Sequence, residues 1–454
     1  MDDFDDVVIG AGQSGPFLAA RLAGSGRQVA LVEKTHLGGT CVNDGCTPTK
    51  TLVASARAAY VAREAARWGV MISGEIKVDF AQVKARMDKV VKASKDGLQS
   101  WLGSTKNLTL ISGHARFVSP TEVDVEGRRI KGQRFFLNTG TRAVVSRTPG
   151  LAEVALTNTS VLQLDELPEH LVIIGGSYVS LEFAQIFRRF GSRVTVLERG
   201  ERVLGRDDAD VAEVVAQVFA REGITVRTKT EVSAAQRAGS GVRLTLNGGE
   251  VLEASHLLAA TGRKPNTDEL GLDAAGLTCD ARGFIPVDDQ LRTQAPHIYA
   301  LGDINGRGAF THTSYNDFEV VAANLLDGGT RTVKDRIFIA NVYVDPPLGR
   351  VGLSEQQARA SGRPILKGHR PMTRVSRAFE RGETDGFIKV LVDAETRLIL
   401  GATILGVEGD EAIHTIAAIM TARVPYTVLQ QAVFAHPTVT ELIPTVLGTL
   451  SPLT

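Results

Sequence analysis

Cysteine is nearly absent: three in 454 residues. A chain this long held together by disulfides would need many more, so a cross-linked secreted scaffold is excluded. Charge of one sign is also missing. Lys+Arg and Asp+Glu are 51 each, for a net charge of zero. A polyanion partner calls for a basic excess, so no nucleic-acid partner is expected. No uncharged apolar run approaches the ~18 residues of a membrane span, so no membrane partner is expected. The first residues, Met1-Asp2-Asp3-Phe4-Asp5-Asp6, are acidic and carry no basic segment before an apolar one. No secretory leader and a cytoplasmic location are therefore expected. What remains is the balance of a water-soluble protein, 43% hydrophobic and 22% charged. Glycine is the one residue in excess, 46 of 454, against a usual ~7%. At about 150 residues per domain the length suggests roughly three domains.

Much of the glycine lies in a repeat. The apolar run Val7-Val8-Ile9 enters Gly10-Ala11-Gly12-Gln13-Ser14-Gly15, a helical pattern follows from Pro16 to Ala23, and Val29 to Val32 ends in Glu33. Later, Leu171 to Ile174 enters Gly175-Gly176-Ser177-Tyr178-Val179-Ser180. A helical stretch then runs through Phe190, and Val194 to Leu197 ends in Glu198. Gly10 to Glu33 and Gly175 to Glu198 are each 23 positions, offset by 165. Strand, glycine turn, helix, strand and acid form the start of a dinucleotide fold. Glycine lets backbone N–H groups approach a pyrophosphate at the helix N-terminus, and the acid takes ribose hydroxyls. Gly10, Gly12, Gly15 and Glu33 match in full. In the second copy Ser177 narrows the approach and Ser180 replaces a packing glycine. Thr139-Gly140 and Thr261-Gly262 end the apolar strands that close the two regions. Pro48 to Gly69 and Phe80 to Leu102 read as long helices, and beyond about residue 340 strands and helices continue without a phosphate loop.

Cys41 and Cys46 lie five apart in a glycine-bent segment ahead of a helix, where the helix dipole favours thiolate. Three readings fit: a small disulfide, two free thiols, or half of a metal site. The metal reading lacks further ligands at a suitable spacing. Cys279 reads as a structural loop cysteine. His436, in His436-Pro437-Thr438 with Glu441 five residues on, is either a structural histidine or a base oriented by an acid.

Together these residues resemble the class I pyridine nucleotide-disulfide oxidoreductases, a flavoprotein family that includes dihydrolipoamide dehydrogenase, glutathione reductase and mercuric reductase. The resemblance covers essentially the whole chain. It is most specific in Gly38-Gly39-Thr40-Cys41-Val42-Asn43-Asp44-Gly45-Cys46-Thr47-Pro48-Thr49-Lys50 and in His436-Pro437-Thr438 with Glu441. It implies an α/β chain with two dinucleotide-binding, Rossmann-like domains and a C-terminal α+β dimerisation domain. The expected division is FAD-binding over 1–145 and 271–340, NAD(P)-binding over 146–270, and dimerisation over 341–454.

The resemblance further implies FAD near Gly39, Thr40, Lys50, Gly113, Thr139, Gly140, Asp303 and the loop Ala309-Phe310-Thr311-His312. It implies a nicotinamide dinucleotide near Gly175, Tyr178, Glu182, Glu198 and Gly262. The expected catalytic set is a redox-active Cys41–Cys46 disulfide with His436 and Glu441, the histidine acting across a homodimer. The expected activity is transfer of electrons from NAD(P)H, NADH preferred because of Glu198, to a small disulfide or thiol substrate. Reduction of a metal ion or quinone, and a flavin-bound redox sensor, are the alternatives. Mercuric reductases carry a cysteine pair near their C-terminus, which Gly448 to Thr454 lacks, so mercuric-ion turnover is not expected. Glutathione is not expected either: Gln13, Ala20 and Glu319 stand where glutathione reductases hold its carboxylates.

Overall fold

The computed structural model describes residues 2–453, and the strand counts are of these residues. The chain forms two compact units. The first comprises residues up to Thr51, Lys84–Val144 and Thr261–Arg336. Its sheet runs Leu108–Ser112, Val29–Glu33, Asp2–Ile9, Arg128–Leu137, Glu122–Val125 and Ala115–Ser119, and Ile298–Ala300 also pairs with Arg128–Leu137. The pairings among Leu108–Ser112, Val29–Glu33, Asp2–Ile9 and Arg128–Leu137 are parallel, as is that of Ile298–Ala300. Parallel strands are covered on both faces and so read as continuous apolar runs. Val7, Val8, Val29 and Ala30 are fully buried. One face, through Phe117, Phe135 and Ile298, packs on Leu270, Leu272 and Ile285, and the other on the helix Gly15–Gly24 through Leu18, Ala19 and Leu22.

The second unit comprises Leu52–Val83, Val145–Ala260 and Ile337–Thr454. It holds a parallel sheet in the order Thr225–Arg227, Arg193–Leu197, His170–Ile174, His256–Ala259, Ala155–Leu156. The helix Tyr178–Phe190 is buried along most of its length, including Phe183 and Phe187. Two further sheets are antiparallel: a three-stranded one of Val232–Ala238, Gly241–Leu246 and Val251–Ala254, and a six-stranded one centred on Ile399–Leu405 and Phe387–Asp393. The helix Gly409–Ala422 lays Ala412, Ile413 and Ile416 on the core of the six-stranded sheet. Lys389, 1% exposed, is held in that sheet by Asp208 at 2.9 Å and Asp210 at 2.8 Å. A buried ammonium needs such partners to offset its lost hydration.

The expected fold class is therefore what is seen. The helix expected from Pro48 to Gly69 is Cys46–Glu64 followed by a 3₁₀ turn, Ala65–Trp68, and the second expected helix is Phe80–Gly103.

Candidate active site

The first glycine loop is closed by contacts that admit no side chain. Gly10 has φ +98°, and a Cβ there would strike the Asn138 carbonyl. A Cβ on Gly12 would lie 2.8 Å from Asn138 Oδ1, and one on Gly15 would meet the Gly10 carbonyl. Glu33 ends its strand with both carboxylate oxygens turned to the backbone: Oε2 accepts from Ala11 N–H and Oε1 from Thr35 N–H, each at 2.7 Å. The Gly113 N–H donates to the Glu33 carbonyl at 2.9 Å. This tight backbone approach, with an acid at the strand end, fits a dinucleotide pyrophosphate and ribose.

The dithiol segment is laid against that loop. Gly39 has φ +55°, and a Cβ there would lie 2.9 Å from Gly12 Cα. The Gly38 N–H donates to the Ala11 carbonyl at 2.8 Å. Cys41 sits in the short helix Gly39–Asn43 and Cys46 opens the helix Cys46–Glu64, with Lys50 one turn further along. All three cysteines are thiols, Cys41 half-buried, Cys46 and Cys279 exposed. Cys46 Sγ lies 3.3 Å from Thr311 Oγ1, at the first residue of the helix Thr311–Leu326. The hydrogen bond with Cys46, then burial, push the Cys41 thiol far above its ordinary pKa. For Cys41 this reverses the expected dipole effect, because the hydrogen bond to the neighbouring sulfur and burial both favour its protonated form.

The other residues expected near FAD lie in the same unit. Thr139 Oγ1 donates to the Asn266 carbonyl at 3.0 Å, and Gly140 accepts from Asn266 N–H at 3.0 Å. Asp303 accepts from Thr141 Oγ1 at 2.8 Å, and burial pushes its carboxyl above the ordinary value. Gly308 and Ala309 lead into Phe310, whose ring stacks on His312 with centroids 5.3 Å apart. Thr40 receives a 3.4 Å contact from Arg263 Nη2, and Arg263 Nε donates to Thr141 Oγ1 at 2.8 Å.

In the second unit, Gly175 has φ +110° and its carbonyl accepts the Ser180 hydroxyl. Tyr178 opens the helix Tyr178–Phe190. Glu182 is buried and accepts from Tyr343 N–H at 2.9 Å. Glu198 accepts from Gly200 N–H at 2.6 Å, and a Cβ on Gly176 would lie 2.8 Å from Glu198 Oε2. The close approach here is thus made at Gly176 beside Ser177. Gly262, φ +133°, belongs to the first unit, where it accepts from Val144 N–H at 3.0 Å. His436 and Glu441 are together: Nδ1 is 3.0 Å from each carboxylate oxygen, with the histidine side chain 69% exposed. Among the described residues no group of three or more His, Cys, Asp or Glu is placed to hold a metal ion. No helix among them is long and apolar enough to cross a membrane.

The sequence reading missed Asn138 and Arg263. Nothing marks Arg263. Asn138 could have been found by comparing the residues ahead of the two Thr-Gly pairs, Asn138 and Ala260.

The description "Pyridine nucleotide-disulphide oxidoreductase" matches residues 4–317, and that family's dimerisation domain matches residues 339–447. The chain belongs to this family. The probable pyridine nucleotide-disulfide oxidoreductase RclA of Escherichia coli is 35% identical over 450 residues, 97% of this chain and 98% of that one. A dihydrolipoyl dehydrogenase of Chlamydia muridarum is 34% identical over 447 residues, covering 97% and 95%. A mercuric reductase of Lysinibacillus sphaericus is 31% identical over 417 residues, covering 91% and 76%. The solved E. coli RclA, described as an HOCl-induced flavoprotein disulfide reductase, superposes with a TM-score of 0.90 at 34% identity, covering 98% and 99%. A Cu(II) complex of it superposes at 0.91. Pyridine nucleotide-disulphide oxidoreductases are enzymes that use FAD and NAD(P)H, and this chain is such an oxidoreductase.

Proposed function

We propose that the protein passes electrons from NADH through FAD and a Cys41–Cys46 disulfide to a small disulfide substrate, as a cytoplasmic homodimer. The observation that carries this is the dithiol: two thiols in contact, fixed by Gly39 against the first glycine loop, with Thr311 beside Cys46. FAD on the first fold supplies acceptance of a hydride and its delivery to sulfur as an electron pair. Gly10, Gly12, Gly15, Glu33, Lys50, Thr139, Gly140, Asp303 and the loop 309–312 hold it. Gly175, Tyr178, Glu182 and Glu198 hold the nicotinamide dinucleotide.

The thiol chemistry then balances. The Cys41 sulfur attacks one sulfur of the substrate, forming a mixed disulfide and expelling the other sulfur as a thiolate. Cys46 attacks the Cys41 sulfur, closing the Cys41–Cys46 disulfide and releasing the second thiolate. The two protons leave the cysteines and end on the products. Because the Cys41 thiol is held protonated, it needs a base. His436 takes that role, oriented through Nδ1 by Glu441 and supplied across the dimer.

Anaerobic titration should show uptake of about four electrons per flavin, two by the flavin and two by the disulfide. Uptake of two, in protein with Cys41 and Cys46 intact, overturns the relay. His436→Ala should cost ~10²–10⁴-fold in disulfide turnover, with flavin reduction by NADH near normal. A second reading, reduction of a metal ion by the same dithiol, is favoured by the Cu(II) complex of the E. coli relative. Aerobic turnover against a panel of disulfides, quinones and metal ions separates the two.

A further inference from the structure

The two folds keep one backbone register and differ in the residue ahead of their Thr-Gly pairs. Asn138 N–H donates to the Ile9 carbonyl at 2.7 Å, and Ala260 N–H donates to the Ile174 carbonyl at 2.9 Å. Gly10 and Gly175 donate to Val32 and Leu197, both at 2.8 Å. Asn138 and Ala260 are therefore equivalent positions, a carboxamide in one fold and a methyl in the other.

Every polar atom of that carboxamide is used. Oδ1 accepts from Gly15 N–H at 3.1 Å and from Ser14 N–H at 3.3 Å. Nδ2 donates to the Leu301 carbonyl at 2.9 Å and lies 3.4 Å from Ser314 Oγ. Ser314 Oγ is in turn 2.8 Å from Ser14 Oγ. Ser14, Asn138 and Ser314 are all buried, where an unpartnered polar group is expensive. Removing the carboxamide strands the two amides that open the helix Gly15–Gly24. It also frees the wall against which Gly12 and Gly302 are packed.

A loop pinned from the inside gives up little conformational freedom when a ligand settles on it, so the ligand is held more tightly. We propose that Asn138, with Ser14 and Ser314, is a positioning residue that retains the flavin by holding the first glycine loop in its binding shape. Ala260 leaves the second loop without this fastener, as suits a nicotinamide that exchanges at every turnover. The proposal rests on the assignment of FAD to the first fold.

The test is the rate of flavin loss from the holoenzyme, read as the flavin-to-protein ratio after dilution into flavin-free buffer and filtration at intervals. Asn138→Ala should release flavin at least tenfold faster while KM for NADH stays within twofold. Ser314→Ala, which keeps both Oδ1 bonds, should release it about threefold faster. A release rate within twofold of wild type in Asn138→Ala overturns the proposal, and if that variant is insoluble the same result in Ser314→Ala does so. A raised KM for NADH with flavin retained overturns the assignment of FAD to the first fold as well, a distinct failure.

Discussion

In the first glycine loop a side chain at Gly15 would strike the Gly10 carbonyl. In the second, Ser180 stands at the equivalent position and its hydroxyl donates to the Gly175 carbonyl. The same contrast recurs at the acids. Both acids accept from the N–H two residues on, Thr35 for Glu33 and Gly200 for Glu198, and Glu33 accepts in addition from Ala11 N–H in the glycine loop. It recurs again at Asn138 and Ala260. The first loop is fastened through a buried side-chain network of Ser14, Asn138 and Ser314, and the second through backbone bonds such as Leu204 N–H to the Gly176 carbonyl at 2.7 Å. On the proposed assignment of flavin to the first loop and nicotinamide to the second, one backbone register would serve two ligands with different residence times through side chains that never define the register.

The strongest way to break this comparison is to exchange the residues. Gly15→Ser forces a Cβ onto a carbonyl that cannot retreat, an overpacking that costs at least ~1–3 kcal/mol. It should yield flavin-depleted or insoluble protein, read by flavin absorbance per protein. The reverse change, Ser180→Gly, removes one hydrogen bond worth ~1 kcal/mol and should keep flavin content, lowering the melting temperature by roughly 2–4 °C. Equal losses in the two variants would mean that the folds do not differ as described.

The acids give a second, smaller effect. A 2′-phosphate beside Glu198 would meet a like charge. Arg202 Nη2 is engaged instead by the Asp207 carbonyl, to which it donates at 3.3 Å. NADH should be the better substrate, and Glu198→Ala should shift the NADH/NADPH ratio of kcat/KM toward NADPH by about tenfold, or ~1.4 kcal/mol. Glu33→Gln should leave that ratio alone and loosen flavin instead. A wild type that prefers NADPH more than tenfold would show that Arg199 and Arg202 override Glu198.

The smallest effect is one of pH. Burial holds His170 and His256, both on strands of the second fold, below their ordinary pKa of 6.5. As pH falls, the unfolded chain takes up protons first, so their stabilising effect is complete above about 6.5 and is lost below it, toward the lower folded-state values. The melting temperature should drop between pH 7.5 and pH 5.5, and His170→Gln should reduce the drop by on the order of 2 °C. An unchanged slope would show that acid attacks the molecule elsewhere.

The folds were legible because periodicity and spacing are local. Apolar runs ending in glycine turns, each followed 23 positions later by Glu33 or Glu198, can be produced by few architectures. The pairing of His436 with Glu441 was legible for the same reason, since five residues of chain keep them close. The roles of Arg263 and Asn138 were not, because each acts on partners more than a hundred positions away, although the Asn138/Ala260 difference itself stands in the sequence.

The sequence by itself determined the duplicated dinucleotide folds, the dithiol segment and a C-terminal stretch of strands and helices without a phosphate loop, since each is written in residues near one another along the chain; the antiparallel pairing of that stretch was seen only in the structure. Only the tertiary structure decided that the Cys41 thiol is pushed up while Thr311 sits beside Cys46. It also decided that Gly176 makes the close approach in the second loop, and that Asn138 bridges a loop, a strand end and a distant helix. A pKa and a buried hydrogen bond depend on which atoms are neighbours in space. Those neighbours, Thr311 and Ser314 among them, are brought in from 265 and 300 positions away by the burial of sheets and helices that none of these side chains encodes.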